Sequence, residues 1–153
     1  MKGKKMSDHK EFLFPITVYW EDTDAGGVVY HANYLRFMER ARSESLKSLG
    51  CFQTEMAREN RAQLVVVSVS IRYRRPALLE DKLVVHSRIV GLKRASVVIE
   101  QTVMRGDTVL TEGVVRVACV STDTKAPCAF PEALYQAMQG ELTEPEISKR
   151  EGI

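Results

Sequence analysis

An α+β domain, with one long helix held against a curled antiparallel sheet of about five strands, is the architecture this sequence predicts. Three observations predict it. One amphipathic stretch, Tyr34–Leu49, repeats its apolar residues at helical spacing. From Leu64 onward the apolar period switches to two and holds through four successive segments. The connections between those segments are short, which makes sequential strands antiparallel neighbours.

Met1–Lys10 is polar and is expected to be disordered, leaving a single domain over residues 11–140. Phe12–Asp22 reads as a strand, with Ile16, Val18 and Trp20 on one face and Thr17 and Tyr19 on the other. Pro15 limits how early that strand can pair. A turn-rich stretch with two glycines follows, Thr23-Asp24-Ala25-Gly26-Gly27. In the long helix Tyr34, Phe37, Met38, Ala41, Ser45 and Leu49 trace one face. Arg36, Glu39, Arg40, Glu44 and Lys47 lie opposite, with Arg40 and Glu44 at i,i+4. Asn33 suits its N-cap and Gly50 its C-terminal stop.

A weaker helical stretch covers Phe52–Glu59. Then Val65, Val67, Val69, Ile71 and Tyr73 alternate with more polar neighbours up to Arg75-Pro76, a strand with one apolar face. Lys82–Val90, Ala95–Met104 and Val109–Ser121 repeat the pattern across glycine-bearing turns. A short helix is expected at Glu132–Gln139, ending at Gly140, and Glu141–Ile153 reads as a frayed polar tail. One sheet face takes the helix stripe, yet the strands keep apolar residues to spare, among them Val66, Val84, Val90 and Val98. That surplus implies a second copy of the chain completing the sheet.

The 153 residues suffice for one well-buried core. A net charge of +2, from 22 basic and 20 acidic residues, makes no case for nucleic acid or an anionic membrane as the main partner. Cys51, Cys119 and Cys128 are odd in number and show no metal-ligand spacing, so a reducing, cytoplasmic location is expected. No apolar h-region follows the basic start, so no secretory signal is read there. The apolar runs are far shorter than the roughly 20 residues a bilayer span needs. With three histidines, His9, His31 and His86, a His-based metal site is hard to assemble, and no metal is expected.

Nucleophile-elbow, Walker-loop, dinucleotide and zinc-protease motifs are all absent, which leaves carboxylates and backbone groups as candidates for chemistry. The segment Glu21-Asp22-Thr23-Asp24-Ala25-Gly26-Gly27-Val28-Val29-Tyr30-His31-Ala32-Asn33-Tyr34 sets a carboxylate beside two glycines shortly before a helix begins. A helix N-terminus offers free N–H groups to an oxyanion, and a facing carboxylate could activate water or attack a carbonyl. On spacing alone a plainer reading suffices: Asp22 and Asp24 form a turn that the glycines shape, and His31 caps or packs.

The run Val18-Tyr19-Trp20-Glu21-Asp22-Thr23-Asp24-Ala25-Gly26-Gly27-Val28-Val29-Tyr30-His31-Ala32-Asn33-Tyr34, continued by Glu39-Arg40-Ala41-Arg42-Ser43-Glu44, resembles the signature of the YbgC-type acyl-CoA thioesterases. These form part of the 4-hydroxybenzoyl-CoA thioesterase branch of the hotdog superfamily. The likeness is dense over the first third of the chain. It continues more thinly through Tyr73-Arg74-Arg75-Pro76-Ala77 and Asp81, and Trp20 stands where relatives often have tyrosine.

The resemblance implies a hotdog fold and hydrolysis of short-chain or aromatic acyl-CoAs. Asp24 falls on the essential carboxylate and the His31 N–H on the donor that polarises the thioester carbonyl, while the His31 side chain lies on the family's histidine. Asp22 falls to the loop's own hydrogen bonding. Lys93, Arg94 and Ser96 fall where relatives meet the CoA nucleotide, although read alone this cluster is a solvated hairpin tip. Arg72, Arg74 and Arg75 are alternative phosphate partners.

No separate cofactor is implied, since CoA is part of the substrate. The implied partners are a second copy or three more, a dimer or a homotetramer, and acyl carrier protein in some relatives. The active site of such folds lies at a subunit interface. Two other activities fit the same fold: a non-catalytic module that binds acyl-CoA or acyl carrier protein, and a hydratase or dehydratase. The second lacks an acid/base partner on the helix other than Glu39.

Overall fold

Residues 10–147 are described by the structure, a computed structural model. The chain runs β1 (Phe12–Thr17), α1 (Asn33–Ser48), α2 (Gln53–Asn60), β2 (Ala62–Tyr73), β3 (Lys82–Leu92), β4 (Ser96–Arg105), β5 (Thr108–Ser121) and α3 (Glu132–Gly140). The strands form one antiparallel sheet in the order β1-β3-β4-β5-β2, so the α+β architecture expected from the alternation is the one observed. The long helix α1 packs over β1 and β3.

The helix stripe makes the first half of the core. Tyr34, Phe37, Met38 and Ala41 bury against Val18, Leu83, Val85, Val103 and Leu110. Phe37 and Met38 are fully enclosed, each contributing roughly 1.5–3 kcal/mol by area burial. A second cluster joins Met56 of α2 and Leu134 and Met138 of α3 to Val97, Val115, Val117 and Cys119. Between the two lies a polar seam. Gln101, wholly buried, donates to the Met38 carbonyl and to Ser87 Oγ, both at 2.9 Å, and accepts from Arg42 at 3.0 Å. Each polar atom of that amide is therefore satisfied, as burial demands.

Several element ends differ from expectation for identifiable reasons. β1 stops at Thr17 instead of running to Asp22, because Asp22 Oδ2 takes the Tyr19 amide at 2.8 Å and closes a 3₁₀ turn over Trp20–Asp22. Trp20 is consequently 83% exposed and does not share a buried face with Val18. Asn33 is the first residue of α1 and not its cap; Ala32 takes that place with helical backbone angles. Glu44 pairs with Lys47 and not with Arg40. Gly50 ends the helix as expected, in the left-handed region at φ +85°, with Cys51 N–H returning to the Leu46 carbonyl.

β2 was expected to show one apolar face. It is an edge strand, and in the single chain Val65, Val66, Val67 and Val69 are all exposed, with a bulge between Val66 and Ser68. The start of the tail is not frayed. Leu142 bridges to Ile89, Thr143 N–H donates to the Ile89 carbonyl, Glu146 N–H donates to Glu100, and Ile147 is buried. The predicted disorder of residues 1–9 and the last residues of the predicted tail, 148–153, lie outside the described residues. The three cysteines are free thiols, with Cys51 and Cys119 buried in the second core cluster. Burial, helped by the Cys128 thiol 3.7 Å away, pushes Cys119 up to about 12, which keeps it a protonated packing group.

Candidate active site

The segment between β1 and α1 folds back on itself. Thr23 bridges Val29, Asp24 N–H donates to the Val28 carbonyl, and Tyr30 N–H donates to the Asp22 carbonyl. The turn at its tip needs Gly27, whose φ of +81° disfavours any side chain. At Gly26 the constraint is space, since a Cβ there would stand 3.2 Å from Asp24 Oδ1, close enough to crowd the carboxylate. The Gly26 amide donates to the same oxygen at 2.8 Å. Asp24 is exposed, and among the described residues its other carboxylate oxygen has no protein donor.

Asp22, two positions earlier, is 6% exposed. Asn33 Nδ2 donates to its Oδ1 at 2.8 Å and the Tyr19 amide to its Oδ2. This carboxylate ties the loop to the first residue of α1, in line with the structural part expected for it. A second anchor comes from Ala77, which accepts from Val29 N–H and donates to the buried Tyr34 hydroxyl at 3.1 Å. Burial raises the Tyr34 hydroxyl above its ordinary value, so it stays protonated. The 76–81 loop is in turn clamped by Asp81, which accepts from Leu78 N–H at 2.8 Å and from Arg105 at 2.6 Å.

His31 stands at the entrance to α1 and is exposed. Among the described residues its N–H has no protein acceptor, whereas the Asn33 N–H is taken by the Tyr30 carbonyl. The His31 ring lies 4.6 Å from Tyr30 and edge-on to Tyr73 at 6.3 Å, and it forms no hydrogen bond to Asp24. Asp24 and His31 are thus brought onto one loop, the first presenting a carboxylate and the second a backbone donor.

The other predicted site residues are elsewhere. Lys93 and Arg94 form the β3–β4 turn, closed by Lys93 N–H to the Ser96 carbonyl at 2.8 Å, and Ser96 opens β4. The Asp24 loop adjoins the Lys82 end of β3 through Val18 N–H to Asp81, and this turn is at the other end, roughly 35 Å along an eleven-residue strand. Arg94 pairs with Glu132 at 3.1 Å and lies 4.5 Å over the Tyr135 ring. Of the alternative partners, Arg74 pairs with the buried Glu112 at 2.8 Å, and Arg75 is exposed. One chain therefore does not bring its two predicted half-sites together. A cavity of about 140 Å³ opens between α1 and the free edge, lined by Glu39, Arg42, Leu46, Leu64, Val65, Ile99 and Val117.

Residues 18–138 match the model of the thioesterase-like superfamily. The chain belongs to that superfamily. It is 44% identical to the acyl-CoA thioesterase YbgC of Haemophilus influenzae over 82% of its own length and 93% of that protein. It is 40% identical to the acyl-CoA thioester hydrolase YbgC of Escherichia coli O6:H1 over 80% of its length and 92% of that protein. A probable thioesterase from Bartonella henselae superposes with a TM-score of 0.76 at 35% identity, covering 79% of this chain and 99% of that one. The hotdog fold and the likeness to YbgC-type thioesterases expected from the motif are both borne out. Among the described residues no helix is long and apolar enough to cross a membrane.

Sequence reading missed Tyr73, Tyr34 and Ala77 as parts of this site. Tyr73 was visible as a member of an alternating strand and of the thinner part of the family likeness, with no role attached, and its contact with His31 spans 42 residues.

Proposed function

We propose that the chain hydrolyses acyl-CoA thioesters, short-chain or aromatic, to the free acid and CoA, with Asp24 and the His31 N–H as its chemical groups. That it is a thioester hydrolase follows from its family and relatives. One observation supports the residue assignment: among the described residues, exposed Asp24 has a carboxylate oxygen to spare on the same loop as a helix-entrance amide that no protein group uses. The thioester carbonyl accepts from the His31 N–H, where the positive end of α1 favours the developing negative charge. Asp24 then acts as general base toward water or as nucleophile through a mixed anhydride. The His31 side chain shapes the aromatic wall beside the carbonyl.

The working unit is an oligomer. Antiparallel pairing of two β2 strands about their midpoints sets Tyr73 of one chain beside Ala62–Leu64 of the other, where the cavity opens. The acyl group held by one loop then enters the cavity of the neighbouring copy. Lys93, Arg94 and Ser96 reach the CoA nucleotide only from another subunit in this arrangement. A hydratase reading gains nothing, because Glu39 is exposed and accepts from Ser43 at 2.9 Å.

Thiol release from a panel of acyl-CoAs, together with one acyl-loaded carrier protein, tests this. Wild type turns over, and a folded Asp24→Asn protein loses roughly 100-fold or more in kcat. The wild-type rate also falls in acid, since protonation removes either role of Asp24. Binding without turnover by wild type favours a non-catalytic module instead, and a profile flat through the acidic range counts against Asp24.

A further inference from the structure

We infer that Tyr73 is a positioning residue, whose hydroxyl holds the carbonyl of His31 and so sets the helix entrance against which the thioester is aligned. The inference rests on the assignment of Asp24 and the His31 N–H made above. Tyr73 Oη donates to the His31 carbonyl at 2.7 Å. That carbonyl precedes Ala32, the N-cap of α1, whose own carbonyl takes the first helix bond from Leu35 N–H, so the His31 carbonyl lies just outside the helix. The tyrosine hydroxyl gives it a donor from the sheet.

Its ring is held from two sides, edge-on to His31 and at 5.6 Å from Tyr34, whose own hydroxyl is fixed by the Ala77 amide. Its backbone is held by pairing with Thr111 of β5. The donor therefore stands on the sheet, and the peptide it grips joins the residue whose N–H faces the substrate. Burial raises the Tyr73 hydroxyl above its ordinary value, so it remains a donor at neutral pH. Phenylalanine at this position keeps the ring contacts and removes only the hydrogen bond.

The test compares wild type, Tyr73→Phe and Asp24→Asn as full chains, with hexanoyl-CoA and benzoyl-CoA. Tyr73→Phe is expected to lower kcat about tenfold with KM within about twofold, because small misplacements of a reacting group cost rate more than binding. The acid limb of its pH–rate profile stays where wild type has it, and so do its melting temperature and oligomeric state. A non-hydrolysable ketone, S-acetonyl-CoA, supplies the spectroscopic readout. Its bound carbonyl stretch lies at higher frequency in Tyr73→Phe, reporting a poorer hydrogen bond. Wild-type kcat with an unchanged stretch overturns the inference. So does a kcat loss that tracks a loss of stability or assembly, which marks a merely structural tyrosine. Should Asp24→Asn remain active, the underlying assignment fails whatever Tyr73→Phe does; an inactive Asp24→Asn beside a fully active Tyr73→Phe sinks the tyrosine alone.

Discussion

Both carboxylate oxygens of Asp22 are occupied, by Asn33 Nδ2 and the Tyr19 amide, while Asp24 has one oxygen bonded to Gly26 and one with no donor among the described residues. Two identical side chains two residues apart are thus set to different tasks by burial and by donor supply. Truncating Asp22 strands the Asn33 amide and the Tyr19 N–H, and Asp22→Ala should lower stability by roughly 1–3 kcal/mol in urea titration. It should also slow turnover although Asp24 is untouched, since the loop loses its tie to α1. An unaltered urea midpoint would show the pair to be replaceable. Sequence order alone pointed to Asp24 through its family motif. The work of Asp22 was legible only as turn chemistry, because its partner Asn33 had been read as a helix cap.

The 76–81 loop holds the α1 entrance by way of Ala77, and Asp81 holds the loop. Burial pushes the Asp81 carboxyl up, but the Leu78 amide and Arg105 outweigh it, so its folded-state value is lowered. A lowered acid stabilises the fold fully above its unfolded value, about 3.9, and loses that contribution as pH falls through the lower folded value. Asp81→Asn should therefore unfold at lower urea than wild type at pH 7, with the gap closing toward pH 3. A gap that persists in acid would assign the effect to packing and not to charge. Helices and strands were legible to within a few residues because their periods are local. Their ends were less so: β1 yields to the bond Asp22 accepts from the Tyr19 amide, a competitor that alternation does not report, and the tail is pinned by Ile89 and Glu100, over distances in sequence that no local pattern reports.

The valine surplus pointed to a second copy; of the four valines named for it, Val66 lies on β2, an edge strand on which Val65, Val67 and Val69 are also exposed, while Val84, Val90 and Val98 are half-buried on β3 and β4. Neither the edge position nor the separation of Lys93 from Asp24 could be read from alternation, which specifies faces and not neighbours. Val67→Lys, at the bulge, should give a folded monomer by light scattering with little thioesterase activity, because charge on an edge strand opposes pairing. An active monomer would place the complete site within one chain.

The two edges of the sheet are unequal. β2 is twelve residues long and free of proline, whereas β1 is six residues long and carries Pro15. A chain with one adhesive edge and one blunted edge can join a single neighbour edge to edge, after which both outward margins are of the blunted kind. Assembly by this route terminates itself at the pair. The same valines that would seed open-ended fibre growth on a symmetric sheet are consumed in the first encounter, so concentrated solutions should hold a closed particle and not a lengthening polymer.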